Sequence, residues 1–383
     1  MHIGHFLHDL DGQGGIETYV ARLGDGLAAR GHTVTYWGLK GTPSPSRMRV
    51  PDVGTLYTEA QAQGVDVLHL HKSVPESPPS SLPTLRTVHD NGAACPSGSR
   101  YLKRTGTPCP RIASLPACLF GHYVDGCGSR RPSKVWEGFR RMADNKSVLP
   151  GCPTLTVSQY LKDEMVTAGY PASGLRVVLS PGPIGPTSPP PLRTEGLPHL
   201  LFVGRLVPEK GVAWLLRAFA QLNLPAHLDI AGTGDHRGAL DEQVERLGLS
   251  DRVTFHGWVD GAALNALFKG ARAVVVPSVW HEPAGLVPLE AAAWARPVVA
   301  SHVGGLPEYA HDSFSQLVPP NDDEALTEAL RHLCLHPVDA ARQGRAGYQH
   351  VRAHHSMDAF LDRHDGLYTS LSEQLSPSFQ NLE

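Results

Sequence analysis

No run of this 383-residue sequence is apolar for long enough to cross a bilayer. Residues 1–10 also lack the basic start and long apolar stretch of a secretion signal, so the expected location is the cytosol. Charge of one sign is scarce as well: 34 Lys and Arg stand against 37 Asp and Glu, a formal net charge of -3. Such a chain has no global attraction for polyanions, and nucleic acid is not an expected partner. Repeats of solenoid length and long low-complexity tracts are missing. The full G-x-G-x-x-G fingerprint is absent too, since the first glycine turn reads Asp11-Gly12-Gln13-Gly14-Gly15, which disfavours a dinucleotide oxidoreductase. None of the six cysteines stands in a C-x-x-C pair.

What is present fits a globular protein of more than one domain: 41% hydrophobic and 19% charged residues, at a length where a single core gives way to two. Short apolar runs at Ile3 to Leu7, Thr33 to Trp37, Val65 to His71, Leu85 to Asp90, Thr154 to Ser158 and Arg176 to Leu179 alternate with helical or irregular segments. Pro181 to Pro191 is dense in proline and glycine and reads as a connector. The pattern restarts with strands predicted at Leu200 to Gly204, Leu228 to Ala231, Val253 to Phe255, Ala273 to Val276 and Val298 to Ala300, and a helix from Gly211 to about Leu222. The expected division is 1–185, 186–355, and a terminal helix over 356–383; both large parts are α/β with parallel sheets.

The segment Pro277-Ser278-Val279-Trp280-His281-Glu282-Pro283-Ala284-Gly285-Leu286-Val287-Pro288-Leu289-Glu290 follows an apolar strand and opens a helix. The backbone N–H groups around Gly285, Leu286 and Val287 then lie at a helix N-terminus, where free donors and the macrodipole favour a diphosphate. Glu290, four residues after Leu286, projects from the same face, within reach of a ribose diol. Arg205 and Lys210, in Val203-Gly204-Arg205-Leu206-Val207-Pro208-Glu209-Lys210-Gly211, are a cation pair suited to charge building on a leaving diphosphate. Taken singly, each of these is matched by a plainer account: a dipole-stabilised acidic helix start, solvated surface charges, ordinary βα turns.

Together they resemble the family-four retaining glycosyltransferases of the GT-B fold. Glu282 and Glu290 fall on that family's Glu-x7-Glu, Arg205 and Lys210 on its Arg and Lys, Gly14 and Gly15 on its N-terminal glycine turn, and Gly304-Gly305-Leu306-Pro307-Glu308 on its late glycine loop. The resemblance implies two Rossmann-like domains with parallel sheets facing across a cleft. It also implies a UDP- or GDP-sugar donor held mainly by the second domain, no cofactor and no metal. Glu282 and His89 would face the transferred sugar, Glu290 the ribose, and the backbone of Val259 the base. The acceptor would be a sugar, lipid or small-molecule hydroxyl in glycan, glycolipid or secondary-metabolite synthesis. A sugar-nucleotide-binding protein without catalysis and a sugar phosphorylase of the same fold are the alternatives.

Two features stand apart. Asp9-Leu10-Asp11 copies a metal-binding Asp-x-Asp, yet it lies at the first βα turn and is not expected to bind a cation. Cys95, Cys109, Cys118 and Cys127 fall in a loop-rich insertion over about 92–150, where disulfides or free thiols are favoured over zinc. Its many basic residues form a solvated face, cover the acceptor side or meet anionic lipid, which would make the protein peripheral to the inner membrane face.

Overall fold

The apolar runs become strands because each is too short for a helix, and the central ones are covered on both faces. In β13 below, all four residues Ala273–Val276 are buried, as befits a strand in a parallel sheet. The computed structural model describes residues 1–12, 14–148, 151–183 and 185–373. Its strands are β1 (His2–Asp9), β2 (Thr33–Lys40), β3 (Arg47–Arg49), β4 (Val67–Leu70), β5 (Thr84–Val88), β6 (Tyr101–Leu102), β7 (Thr107–Pro108), β8 (Thr154–Thr156) and β9 (Leu175–Val177). They continue as β10 (His199–Val203), β11 (His227–Ala231), β12 (Val253–Gly257), β13 (Ala273–Val276), β14 (Val298–Ser301) and β15 (Ser315–Val318). The helices are α1 (Gly15–Ala29), α2 (Val53–Ala62), α3 (Leu115–Phe120), α4 (Pro132–Val148), α5 (Gln159–Thr167), α6 (Val212–Ala220), α7 (Arg237–Arg246), α8 (Gly261–Gly270), α9 (Leu286–Ala293), α10 (Leu306–Tyr309), α11 (Asp323–Leu335), α12 (Pro337–His354) and α13 (Met357–Glu373).

The chain forms two units, each with its own parallel sheet. Unit 1 comprises Met1–Ser99, Arg111–Pro181 and the chain from Met357; its sheet runs β3-β2-β1-β4-β5-β8-β9. Unit 2 comprises Arg100–Pro110 and Gly182–Ser356, with the order β12-β11-β10-β13-β14-β15. In both, the first strand lies between the second and the fourth, so the winding reverses beside it. The loops on either side of that point diverge and leave a crevice at the carboxyl ends of the strands, where α/β sheets bind ligands. The crevice falls between β1 and β4 in unit 1, and between β10 and β13 in unit 2.

The core of unit 1 has two layers. Tyr19, Val20, Leu23 and Leu27 of α1 and Phe360, Leu361, Leu367, Tyr368 and Leu371 of α13 cover one face, while Trp37, Leu56 and Tyr57 lie in a cluster on the other. Unit 2 is centred on Phe202, Trp214, Phe219 and Ile230.

The insertion differs from expectation in two ways. It is substantially helical, since α3 and the 17-residue α4 lie within it. The buried stripe of α4 is Val135, Gly138, Asn145 and Val148, too sparsely apolar to announce a helix from periodicity. Moreover, Arg100–Pro110 belongs with unit 2, where the β6–β7 hairpin buries Tyr101 in the core. The unit changes at Pro181 and Gly182, four residues before the expected boundary and inside the proline-rich connector. Among the described residues, no helix is long and apolar enough to cross a membrane.

Candidate active site

In unit 2 the loops leaving β10 and β13 lie side by side because those strands are paired. Lys210, at the end of the first loop, donates from Nζ to Glu282 Oε1 at 2.6 Å, and Ser278 Oγ donates to the same oxygen at 2.6 Å. Glu282 is buried, so its charge is held by these two donors rather than by water. The Lys210 ammonium also sits 5.6 Å from the centre of the Trp280 ring. Two glycines make this closeness possible. Gly211 (φ 72) and Gly304 (φ 59) are left-handed, and a Cβ on either would overlap backbone, that of Pro277 and of Glu282 respectively. Gly305 N donates to the Glu282 carbonyl at 2.7 Å and Val279 N to that of Glu209 at 2.9 Å, so three loops are tied together around one carboxylate.

The other residues singled out in unit 2 surround this point to different degrees. Gly285 is the N-cap of α9, and no side chain caps that helix, which leaves the Leu286 and Val287 amides at its start for a ligand. Glu290 is half-buried one turn further along α9. Arg205 is exposed just past β10, on a loop held by Gly204 N to Ala231 O at 3.0 Å and Leu206 N to Thr233 O at 2.8 Å. Val259 lies half-buried after β12, two strands from the crevice at the sheet edge. Glu308 stands in the short α10. The β6–β7 hairpin comes close to His281, whose burial, aided by the charge of Arg100, pushes its pKa down to about 4.

In unit 1, Gly14 is the extended N-cap of α1 and Gly15 its first residue. His89 follows β5 and is half-buried. Its Nε2 lies 3.0 Å from His71 Nδ1, and His71 Nε2 lies 3.0 Å from His5 Nδ1. Burial pushes His5 and His89 down to about 3 and His364, on α13, down to about 4. Donor atoms of His5, His69 and His71 come within 4.8 Å of one another, a grouping loose enough to consider for a metal. Their nitrogens are otherwise engaged: His69 bonds Tyr368 and Thr87, each at 2.7 Å, and of the six only His5 Nε2 has no partner. Five of the six nitrogens thus belong to a hydrogen-bond network. Asp11 Oδ2 accepts from Thr42 N and Oγ1, each at 2.8 Å, and Asp9 Oδ1 from Asp11 N at 3.1 Å, so both carboxylates shape the turn. Among the described residues, no disulfide joins any of the six cysteines.

Residues 187–350 match the family model described as glycosyl transferases group 1. The alpha-maltose-1-phosphate synthase of Mycobacterium tuberculosis is 30% identical over 267 residues, a match covering 62% of this chain and 68% of that protein. The chain belongs to the group 1 glycosyl transferases. Matches to two other curated relatives span only 28% and 58% of their lengths. Like other members, this glycosyl transferase has the GT-B fold: a sucrose-phosphate synthase from Thermosynechococcus elongatus superposes with TM-score 0.73 at 23% identity, covering 97% of this chain and 98% of that one. A second neighbour is Anabaena HepE in complex with UDP-glucose, with TM-score 0.71, 16% identity, and 97% and 100% coverage.

Sequence reasoning passed over three parts of this group 1 glycosyl transferase. Ser278 has no signal beyond lying four residues before Glu282. The histidine chain had one, because His69 and His71 stand at i and i+2, a spacing that puts both on one face of a strand. Placement of the hairpin beside His281 depends on tertiary packing that no local pattern encodes.

Proposed function

We propose that this chain transfers a sugar from a UDP- or GDP-sugar to an acceptor hydroxyl, with retention of anomeric configuration and without a metal ion. The observation that carries this reading is the Lys210–Glu282–Ser278 group at the switch point of the unit 2 sheet, beside the uncapped start of α9. In the reaction, the bond from the anomeric carbon to the diphosphate oxygen breaks and the acceptor oxygen bonds to that carbon from the same face. The acceptor proton passes to the departing phosphate. Arg205, Lys210 and the amides of Leu286 and Val287 stabilise the charge left on the diphosphate. Glu290 binds the ribose, the Val259 backbone the base, and Glu282 orients the sugar while Lys210 and Ser278 fix its carboxylate. In unit 1, His89 contacts the transferred sugar, and Gly14 and Gly15 leave room for phosphate and acceptor. The neighbour that holds UDP-glucose supports a UDP-sugar as the first donor to try. A thermal-shift panel of nucleoside diphosphates and their sugars tests the reading, because a ligand that binds only the folded chain raises its melting temperature. A UDP- or GDP-sugar should raise it; no shift with any member of the panel would reject the proposal.

The acceptor side includes an anionic lipid surface in this reading. Ile112, Leu115, Phe120, Tyr123, Val124 and Trp136 are all exposed, and Phe120, Tyr123 and Val124 stand at i, i+3 and i+4. Of the charged side chains between Arg111 and Trp136, Asp125 is the one acid, and it is buried against Arg111. Arg130 and Arg131 are exposed, and Lys134 is paired with Glu137 at 2.7 Å, so the apolar, aromatic patch is bordered by the two arginines, which complement anionic headgroups over an acyl boundary.

A further inference from the structure

The role proposed for His89 leaves the histidines behind it unused. His5 stands on β1, His71 just past β4 and His89 just past β5, so three neighbouring strands carry the rings side by side at the switch point of the unit 1 sheet. The His71 amide is fixed to Phe6 O at 3.0 Å. The ring contacts are His5 Nδ1 to His71 Nε2 and His71 Nδ1 to His89 Nε2, each 3.0 Å. Burial keeps all three rings neutral at ordinary pH, and the Lys72 ammonium adds to the effect at His89, against the opposing charge of Asp90.

A neutral imidazole has one N–H and one lone pair, so His71 must donate at one nitrogen and accept at the other. The direction of one bond therefore fixes the other. If protons point inward, from His89 towards His5, then His5 Nε2 carries an N–H. If they point outward, His5 Nε2 keeps only a lone pair. That nitrogen is buried without a hydrogen-bond partner. Its neighbour Tyr36 stacks on the ring at 5.7 Å and 26°, so the tyrosine π face lies against the imidazole plane, not at its N–H edge. An orphaned N–H is the rarer of the two defects in folded proteins, and the outward direction avoids it.

We infer that His5 and His71 are positioning residues that set the tautomer of His89. His5 Nδ1–H donates to His71 Nε2, His71 Nδ1–H donates to His89 Nε2, and His89 keeps its own proton on Nδ1. His89 Nδ1 has no protein partner among the described residues. Unit 1 thus presents a neutral N–H donor, fit to bond an oxygen lone pair of the transferred sugar, while the Nε2 lone pair of His89 is already occupied by His71. The inference deepens the proposed function and rests on it for the identity of the oxygen, but not for the tautomer.

Nitrogen NMR of the full, ligand-free chain labelled with heavy nitrogen at histidine tests it, with the His89 signals identified by their loss in His89→Gln. The expected result is a protonated Nδ1 and a bare Nε2; a proton on Nε2 overturns the inference. His71→Asn keeps an amide N–H in place of Nδ1–H and should preserve this tautomer. His71→Leu removes the donor and should release His89 to the Nε2–H form that imidazole prefers in water, and an unchanged tautomer in a folded Leu variant also overturns the inference. If that variant does not fold, the wild-type spectrum still decides. In sugar transfer, His71→Leu should lower kcat roughly 10-fold, the value of about one hydrogen bond, and His71→Asn should recover most of it. The expected tautomer in a protein that transfers no sugar would overturn the functional reading and uphold the histidine chain.

Discussion

At the scale of single residues, Glu282 shares one oxygen between Lys210 and Ser278, and this decides what each substitution does. Lys210→Ala removes the cation from both the carboxylate and the proposed diphosphate. It should lower kcat about 100-fold or more, as for other groups that stabilise transition-state charge, and lower stability by roughly 1–3 kcal/mol through the underpaired Glu282. Arg205 is exposed and has no ion-pair partner among the described residues, so Arg205→Ala should slow transfer with little change in melting. Glu290→Ala should mainly abolish the thermal shift given by nucleotide. Equal turnover and equal nucleotide shifts in all three variants would refute these assignments. The histidines of unit 1 give a pH prediction. His5 and His364 are fully buried, with pKa values pushed down to about 3 and about 4, whereas in the unfolded chain they titrate near ~6.5. Between those values the unfolded state binds more protons, so stability is full above about pH 6.5 and falls as pH drops, by about 1.4 kcal/mol per pH unit for each such group. Urea melts from pH 8 to pH 5 should show a midpoint constant at first and then declining. A midpoint unchanged down to pH 5 would mean that these rings are not held neutral.

At the scale of elements, α3 buries none of its residues. The helix runs on into the turn Gly121–Asp125, which buries Gly121, His122 and Asp125, while Leu115, Phe120, Tyr123 and Val124 are left exposed to whatever phase meets that surface. If that phase is an anionic bilayer, the chain should sediment with vesicles containing phosphatidylglycerol and not with pure phosphatidylcholine. Leu115→Ser with Phe120→Ser should abolish sedimentation, and Arg130→Glu with Arg131→Glu should weaken it with a strong salt dependence. Retention of all variants, or equal sedimentation with both vesicle types, would exclude this surface. What the sequence disclosed about elements follows the same physics of burial. β10 and β13 were legible because strands covered on both faces are nearly unbroken apolar runs, whereas His5 interrupts the run in β1 and Asp229 that in β11. The segment Ser315–Val318 escaped notice because only its two ends are buried at the sheet edge. α4 escaped because charge conceals a thin buried stripe. Within the site, Glu282 and Lys210 were legible as motif positions. Ser278 was not, since only its spacing from Glu282 marks it, and the His5–His71 pair was not, since strand order makes those two neighbours.

At the scale of the whole molecule, neither unit is continuous in sequence. Unit 1 is completed by α13, which follows all of unit 2, and unit 2 includes a hairpin that leaves unit 1 at Arg100 and returns at Arg111. Each unit nonetheless has its own core, which is the condition for its own unfolding transition. Leu361 of α13 is buried against α1, close enough to Gly26 that a Cβ there would meet its side chain at 2.6 Å. Leu361→Ala should therefore destabilise the unit 1 transition by about 2–5 kcal/mol, the usual cost of such a cavity. A nucleoside diphosphate acts on the other core, because every residue proposed to hold the base, ribose and leaving phosphate, Gly14 and Gly15 aside, lies in unit 2. At a hundredfold excess over its Kd it should raise the unit 2 transition by about 2.7 kcal/mol. Scanning calorimetry of the wild type and Leu361→Ala, with and without UDP, separates the two effects. If UDP raised the same transition that Leu361→Ala lowers, the nucleotide would be held by unit 1, and the roles given to Lys210, Glu282 and Glu290 would fall together.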